Sequence, residues 1–275
     1  NYPNLMKFRL TFFSFLLFLC ISINQTIAQE PIEEDRPVFV TITTLQGADG
    51  FNFQEWKAIE EEFYNKVTSK NELLVSHEVL MSYFAPQFGE IKVINVINSW
   101  EDIKAVNERR VELIAEAWPD EEERQAFFEK QNSFYKSKHS DEIFLTADFA
   151  KEIVREAGQN EPYVFMIKTN ILSDTEDENS YDNYKKYVKE VIYNNSKIQA
   201  YYPFSHFWGD DSREFVEIFV LDSFSDAELS QYEANALLAN MFADEEERKE
   251  FLASIFSAID SQNTSFYKNI PSLSK

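Results

Sequence analysis

The sequence predicts an α+β protein built from two tandem β-α-β-β-α-β units. The main observation is a repeated segment: Asp120–Phe128 recurs as Asp244–Leu252, with six of nine residues identical and a spacing of 124 residues. Around each copy, runs rich in β-branched residues are interleaved with runs whose apolar residues recur every three or four positions. These are the periods of strands and helices, and a repeat of this length indicates a duplicated module.

The first unit covers residues 36–148. Its strands are predicted from β-branched and aromatic residues, and its helices from apolar residues at helical spacing. The predicted strands are residues 38–45, 75–84, 90–97 and 139–144, and the predicted helical regions are residues 56–67 and 98–135.

The second unit, residues 161–275, repeats this order. Residues 149–160 are mostly helix-forming and are predicted to bridge the two units. The predicted strands of the second unit are residues 163–171, 197–208, 213–221 and 265–270. Its predicted helices carry apolar residues at 184–192, at 237–242 and, after the cap at Asp244, at 251–259.

The acidic start of each repeated segment predicts a capped helix. Asp120 and Asp244 are each followed three positions later by glutamate, the pattern of a capping box, and an acidic first turn suits the positive end of the helix dipole. Capping explains these runs more simply than a divalent-cation site, so no metal site is predicted.

The amino-terminal residues 1–28 predict an export signal. Lys7 and Arg9 form a short basic region, residues 10–23 are apolar, and Thr26-Ile27-Ala28 is compatible with cleavage after Ala28. The apolar run is shorter than the ~20 residues that a spanning helix needs, which disfavours a retained anchor. The mature protein is expected in the periplasm or the medium.

The chain is strongly acidic, with 48 Asp and Glu against 26 Lys and Arg. Removal of the signal takes two basic residues with it and changes the formal charge from −22 to −24. Such a charge repels phosphate backbones and anionic lipid, so nucleic-acid and membrane partners are disfavoured. The single cysteine lies in the signal, so no disulfide is expected in the mature protein.

Each β-α-β-β-α-β unit covers one face of its sheet with helices and leaves the other face bare. The economical solution is to pack the two units sheet to sheet as an internal pseudo-dimer, which makes a homo-oligomer unnecessary. This order resembles the ferredoxin-like units of the dimeric α/β-barrel superfamily, over residues 36–148 and 161–273. The pattern Trp118–Arg124 with His139–Ile143 also resembles uncharacterised exported bacterial proteins of that type.

The candidate catalytic residues are His139, Asp141 and Glu142. They place a histidine beside two carboxylates, where a helix gives way to a strand, and the second copy has Gln262–Ser265 there instead. Ionisable groups kept in one copy are consistent with a single acid/base centre. The alternative is that His139 caps a helix end and the acids are solvated.

The candidate ligand-binding residues lie on predicted strands among apolar neighbours. A polar group in such a place needs a partner or a cavity. If these strand faces turn inward, the residues would line the barrel; otherwise they are satisfied core residues or lie at an edge in water. They are His77, Asn95, His206, Trp208 and Glu217.

Three functional hypotheses remain open. The first is a protein that binds a small, partly apolar ligand between its two repeats. The second is an enzyme with an acid/base centre at His139, Asp141 and Glu142, for which the superfamily resemblance implies cofactor-free oxygenation or haem chemistry. The third is a structural or interaction module with a filled barrel. The sequence has no glycine-rich phosphate-binding motif and no paired cysteines, so it identifies no cofactor.

Overall fold

Eight strands and six α-helices follow one another along the described chain in the predicted order. The computed structural model describes residues 38–85, 89–153, 162–173 and 179–275, all within the unit Asp35–Lys275. The predicted signal peptide and residues 154–160 of the predicted bridge lie outside the described residues. None of the described helices has the length and apolar character needed to cross a bilayer.

The strands are bounded as follows: β1 Phe39–Gln46, β2 Ser76–Phe84, β3 Glu90–Ile97, β4 Ser140–Thr146, β5 Val164–Leu172, β6 Ala200–Trp208, β7 Glu214–Leu221 and β8 Ile259–Asn269. The helices are α1 Phe53–Lys66, α2 Trp100–Ala117, α3 Glu121–Asn132, α4 Ser180–Tyr187, α5 Ser225–Met241 and α6 Glu245–Phe256. A π-helical turn, Val188–Ile192, continues α4.

The strands close into one antiparallel barrel in the order β1-β3-β2-β8-β5-β7-β6-β4. Each half supplies four neighbouring strands in the same internal order, and the halves are hydrogen-bonded to each other at two seams, β2 with β8 and β4 with β6. Closure removes both open sheet edges and encloses the two bare faces. The predicted pseudo-dimeric α/β barrel is therefore confirmed.

The lumen is filled by apolar side chains from alternate positions of all eight strands. Side chains at successive strand positions point to opposite faces, so one set lines the interior and the other set faces the helices. Val40, Leu80, Phe144, Ala200 and Tyr267 in this interior cluster are at most 1% exposed. The middle of the barrel is thus a packed core.

The outward-facing side chains pack beneath the helices. Val164 and Met166 on β5 contact residues of α4 and its π-helical turn, and Val79 and Ile91 contact Trp56 of α1. These separate clusters give each half its own helix-to-sheet core.

The predicted helix caps are confirmed. The Asp120 carboxylate accepts a hydrogen bond from the Glu123 amide at 2.9 Å. Asp244 accepts from the amides of Glu246 and Glu247 at 2.8 and 3.0 Å.

Two local predictions were wrong. The last strand begins at Ile259 rather than residue 265, because Ser261–Thr264, although polar, continue the ladder against β5. Residues 147–153 are not helical, because their backbone pairs with β6 through Ala147 and Lys151.

The two halves correspond through their strand registers. Leu80 pairs with Lys92 in the first half, and Phe204 pairs with Val216 in the second. Each residue of the first pair precedes its counterpart by 124 residues, the same spacing as the repeated acidic segments. Gene duplication remains an inference from this agreement.

Candidate functional site

One end of the barrel interior is polar. It lies at the end where β2 and β6 finish and β3 and β7 begin, and its side chains extend the inward-facing rows of the apolar lumen. We call this group the polar mouth. It consists of Thr44, Glu90, Lys92, Glu142, His206, Glu214 and Tyr267.

On the first wall of the polar mouth, formed by Thr44, Glu90, Lys92 and Tyr267, the side chains satisfy one another. The Tyr267 hydroxyl donates to Glu90 Oε1 at 2.5 Å. Lys92 Nζ lies 3.5 Å from the same oxygen and donates to Thr44 Oγ1 at 2.8 Å. Burial, and then the Glu90 carboxylate, raise the pKa of Tyr267, so its hydroxyl stays protonated as a donor.

The second wall consists of Glu142, His206 and Glu214. Glu214 Oε2 is a buried oxygen without a hydrogen-bond partner among the described residues. The pKa of Glu214 is raised to about 7, first by burial and then by the nearby carboxylates of Glu142 and Asp211, against a lowering by Lys92. Glu214 therefore exchanges a proton near neutral pH, which is the condition for a general acid or base.

Glu142 is the second raised carboxyl of this wall. Its pKa is raised chiefly by burial, with Lys92 and His206 acting in the opposite direction. Like Glu214, it makes no ion pair with a described residue. Two neighbouring carboxyls each disfavour the ionisation of the other, so the wall holds a proton readily.

His206 joins the same wall from β6. Its Nδ1 is buried without a hydrogen-bond partner among the described residues, and its ring packs edge-on against Phe144 at 6.1 Å. The β6–β7 turn is close to it: a Cβ added to Gly209 would lie 3.1 Å from His206 Cε1 and 3.1 Å from Glu142 Cγ. Gly209 therefore allows the turn to pack against both side chains.

The structure separates the three predicted catalytic residues. Glu142 faces the lumen, whereas Asp141 lies on the outer face of β4, where it accepts from the Thr43 hydroxyl at 2.7 Å. His139 Nε2 is 3.2 Å from Asp141 Oδ2, and both side chains are about half exposed or more. Only Glu142 belongs to the polar mouth.

His77 and Asn95 are brought together, but outside the lumen. His77 Nδ1 and Asn95 Oδ1 are 2.6 Å apart, and Asn95 donates in turn to the Thr41 hydroxyl at 3.3 Å. Burial lowers the pKa of His77. This is the satisfied buried histidine considered from the sequence, and a lumen-facing acid/base role for His77 does not match its position.

Glu217 also faces outward, beneath α4. Tyr201 and Tyr184 donate to Glu217 Oε1 at 2.6 and 2.9 Å, and Asn170 donates to Oε2 at 2.9 Å. The two tyrosine hydroxyls also contact each other. The lumen position considered for Glu217 and Asn95 is therefore not observed, because odd-numbered residues of β3 and β7 point toward the helices.

Of the remaining predicted residues, His206 reaches the polar mouth and Trp208 is 67% exposed at the end of β6. Two surface depressions, of about 630 and 290 Å³, lie along α2 and beside the loop after β1, and no polar-mouth residue lines either. Among residues 38–85, 89–153, 162–173 and 179–275, no three His, Cys, Asp or Glu side chains converge as metal ligands do.

Sequence reasoning missed Glu214, Lys92, Glu90 and Tyr267. The repeat spacing held a usable signal, because Glu90 and Glu214 are 124 residues apart, as are Ser82 and His206. Glutamate is present at equivalent strand positions in both halves, but its neighbours differ, with serine in one half and histidine in the other. This pattern indicates that the side chains at this end of the barrel differ in function between the halves.

Comparisons with known proteins identify the fold. No family model matches the sequence, and no curated protein matches it. The structure is similar to a candidate monooxygenase from Fusobacterium nucleatum (TM-score 0.57, 8% identity, 85% of this chain and 93% of that one). It is also similar to an anthrone oxidase-like protein (0.53, 10%, 86% and 92%) and to a candidate chlorite dismutase (0.50, 10%, 86% and 97%). At these identities the likeness concerns the fold alone.

Proposed function

Because the chain has the fold of the dimeric α/β-barrel superfamily, we propose that it binds a small, partly apolar molecule at the polar mouth, between its two halves. One observation carries the proposal. Glu214 Oε2 and His206 Nδ1, on the same wall and directly above an apolar interior, are both buried without a hydrogen-bond partner among the described residues. Buried polar atoms are almost always paired in native proteins. Ser82 Oγ beside the first wall is buried in the same way, but on the second wall the atom concerned is a carboxylate oxygen next to an imidazole nitrogen, which supports a ligand site there.

A second candidate is acid/base catalysis on that ligand. It is favoured by Glu214, whose pKa of about 7 allows it to take up and release a proton at neutral pH. Glu142 keeps a place in this hypothesis, whereas His139 and Asp141 do not, since they lie on the outer surface. Such a site would transfer a proton between Glu214 and an acidic C–H, N–H or O–H group of the ligand.

A haem does not fit these residues. A haem held by histidine needs a flat apolar slot beside a free imidazole nitrogen. His77 is buried against Asn95, His139 is paired with Asp141 on the surface, and the space beneath His206 is filled by Phe144 and other lumen residues. We therefore derive no haem-dependent step.

Export remains a separate proposal, which rests on the sequence of residues 1–28. Amino-terminal sequencing of protein recovered from its host tests it: a start at Gln29 supports cleavage after Ala28, and an uncleaved cytoplasmic chain contradicts export.

The binding proposal is tested by titrating the protein with a fragment set of cationic, neutral and anionic molecules and following amide resonances by NMR. Binding at the polar mouth predicts shifts at His206, Gly209 and Glu214 that Glu214→Ala weakens and the outer-face control Asp141→Asn leaves unchanged. If no fragment shifts these amides, or if both variants behave alike, the proposal is wrong and the filled structural module is favoured.

A further inference from the structure

We propose that the ligand of the polar mouth is a small organic cation, a primary amine on an apolar body, whose ammonium group binds Glu214 with Glu142 beside it. This inference rests on the proposed binding function and names the chemical class of its ligand. It is drawn from a comparison of the two walls of the polar mouth.

The first wall shows which groups form an ion pair or a hydrogen bond with a glutamate at this position. Glu90 receives an ammonium from Lys92 and a hydroxyl from Tyr267, both supplied by the chain itself. Its carboxylate is therefore compensated without any ligand.

The second wall has the same glutamate without those partners. By register, Glu214 corresponds to Glu90, Val216 to Lys92 and Phe144 to Tyr267, since Tyr267 pairs with Ser82 as Phe144 pairs with His206. Valine and phenylalanine donate no hydrogen bond. Among the described residues, the ammonium and the hydroxyl thus have no equivalent in this half, and a ligand ammonium would take the position of the missing cation.

The surrounding charges favour a cation over an anion. Glu142, Asp210 and Asp211 all contribute negative charge near Glu214. Arg213 is engaged with Asp211 at 2.8 Å and lies 3.8 Å from Asp260. Lys92 is held by Glu90 and Thr44 on the opposite wall. An acidic mouth on a protein of charge −22 attracts cations and repels anions at a distance.

The floor beneath the second wall is apolar. Its inward-facing residues are Phe144, Phe204 and Val216, each at most 5% exposed, so they are already covered by one another and by the rest of the lumen core. The apolar body of the ligand would therefore lie across the mouth above this floor, with its ammonium on the carboxylates.

Protonation makes the binding pH-dependent. The charged groups facing Glu214 are Glu142 on β4, Asp210 and Asp211 in the turn, and Lys92 on β3, with His206 beside it on β6. Since Glu214 loses its proton near pH 7, affinity for an amine rises as pH increases from 6 to 8.

The experiment compares three molecules with one apolar body: phenethylamine, 2-phenylethanol and 3-phenylpropionate, titrated at pH 7.5 with NMR and calorimetry. We expect phenethylamine to bind at least about tenfold more tightly than the other two, with shifts at His206 and Gly209. Glu214→Gln should remove about tenfold of that affinity, a typical effect of a charge-assisted bond. Asp141→Asn, on the outer face of the same barrel end, should remove none.

Val216→Lys gives an independent readout, because it places on the second wall an ammonium group equivalent to that of Lys92 on the first wall. We expect it to abolish amine binding, and if it does not fold, Glu214→Gln carries the test alone. Equal binding of the alcohol or the acid at the same amides would overturn the amine inference and leave the binding function standing. The failure of all three molecules and of the wider fragment set would overturn both.

Discussion

Glu90 and Glu214 occupy equivalent positions on β3 and β7, yet among the described residues the Glu90 side chain has a hydrogen-bond donor and an ion-pair partner, whereas Glu214 Oε2 is buried without a partner. Each is the first residue of its strand and pairs with the strand that opens its half of the barrel, so we compare the side chains around them. Lys92 is replaced by Val216, and Tyr267 by Phe144. A scaffold with matching halves thus presents one compensated carboxylate and one uncompensated carboxylate, and the uncompensated wall is the candidate site.

Replacing Glu214 with glutamine should stabilise the protein at high pH. The pKa of Glu214 is about 7 in the folded state, above the ~4.3 of an unfolded glutamate. The folded state therefore holds the proton more tightly, and the free energy of unfolding falls as pH rises between these values. After allowance for partial exposure, Glu214→Gln should gain about 1 kcal/mol at pH 8 and almost nothing at pH 4, measured by urea denaturation.

The matched control is Glu90→Gln. It weakens the interactions with Lys92 and Tyr267, so it should destabilise the protein at pH 8 by about 1 kcal/mol. If Glu214→Gln and Glu90→Gln changed the free energy of unfolding at pH 8 in the same direction, the difference described between the two walls would be contradicted.

The fold was predictable from the sequence because its signals are redundant. Strand and helix periods occur twice, and the spacing of 124 residues links them. The candidate site was less predictable, because a one-residue change in strand parity moves a side chain from the lumen to the helix side. Glu142 and Asp141 are neighbours in sequence, yet only Glu142 points inward, and Glu217, for which the sequence left the lumen and the strand edge open, faces α4. Whether the odd-numbered or the even-numbered residues of a strand face the lumen can be decided only once the strand register of the barrel is known.

Gly209→Ala should disturb the second wall specifically. The new Cβ would lie 3.1 Å from both Glu142 and His206, at a φ of +155°. We expect a loss of about 1 kcal/mol of stability, together with altered chemical shifts of the His206 imidazole. Gly50→Ala is the control, because Gly50 has a φ of +80° but no atom within 4 Å of the added Cβ. It should cost similar stability and leave His206 unchanged. Equal perturbation of His206 by both variants would contradict the packing described for the turn.

His77 should make the protein less stable in acid. Burial lowers its pKa in the folded state, whereas the unfolded value is ~6.5. The unfolded state therefore takes up the proton first, and stability is lost as pH falls below about 6.5. In His77→Gln this part of the pH dependence should disappear, even though the variant is less stable overall. His139→Gln, at the half-exposed histidine, is the surface control for the substitution itself and should change the overall stability by less than about 0.5 kcal/mol. A wild-type acid profile in His77→Gln would contradict the buried, neutral state of this residue.

The Glu217 cluster should be a source of stability rather than a part of the site. Tyr201 is fully buried and donates to Glu217 Oε1 at 2.6 Å, and Tyr184 donates to the same oxygen at 2.9 Å. Tyr201→Phe removes one donor from a buried carboxylate, which should cost about 1–3 kcal/mol in chemical denaturation. Tyr232→Phe is the matched control, because the Tyr232 hydroxyl bonds only to exposed Glu228 at 3.2 Å among the described residues, and its loss should cost less than about 0.5 kcal/mol.

Neither variant should change amine binding at the polar mouth, since Glu217 points to the helix side of the sheet. A Tyr201→Phe protein of unchanged stability but weakened amine binding would move the functional site from the lumen end to the layer beneath α4.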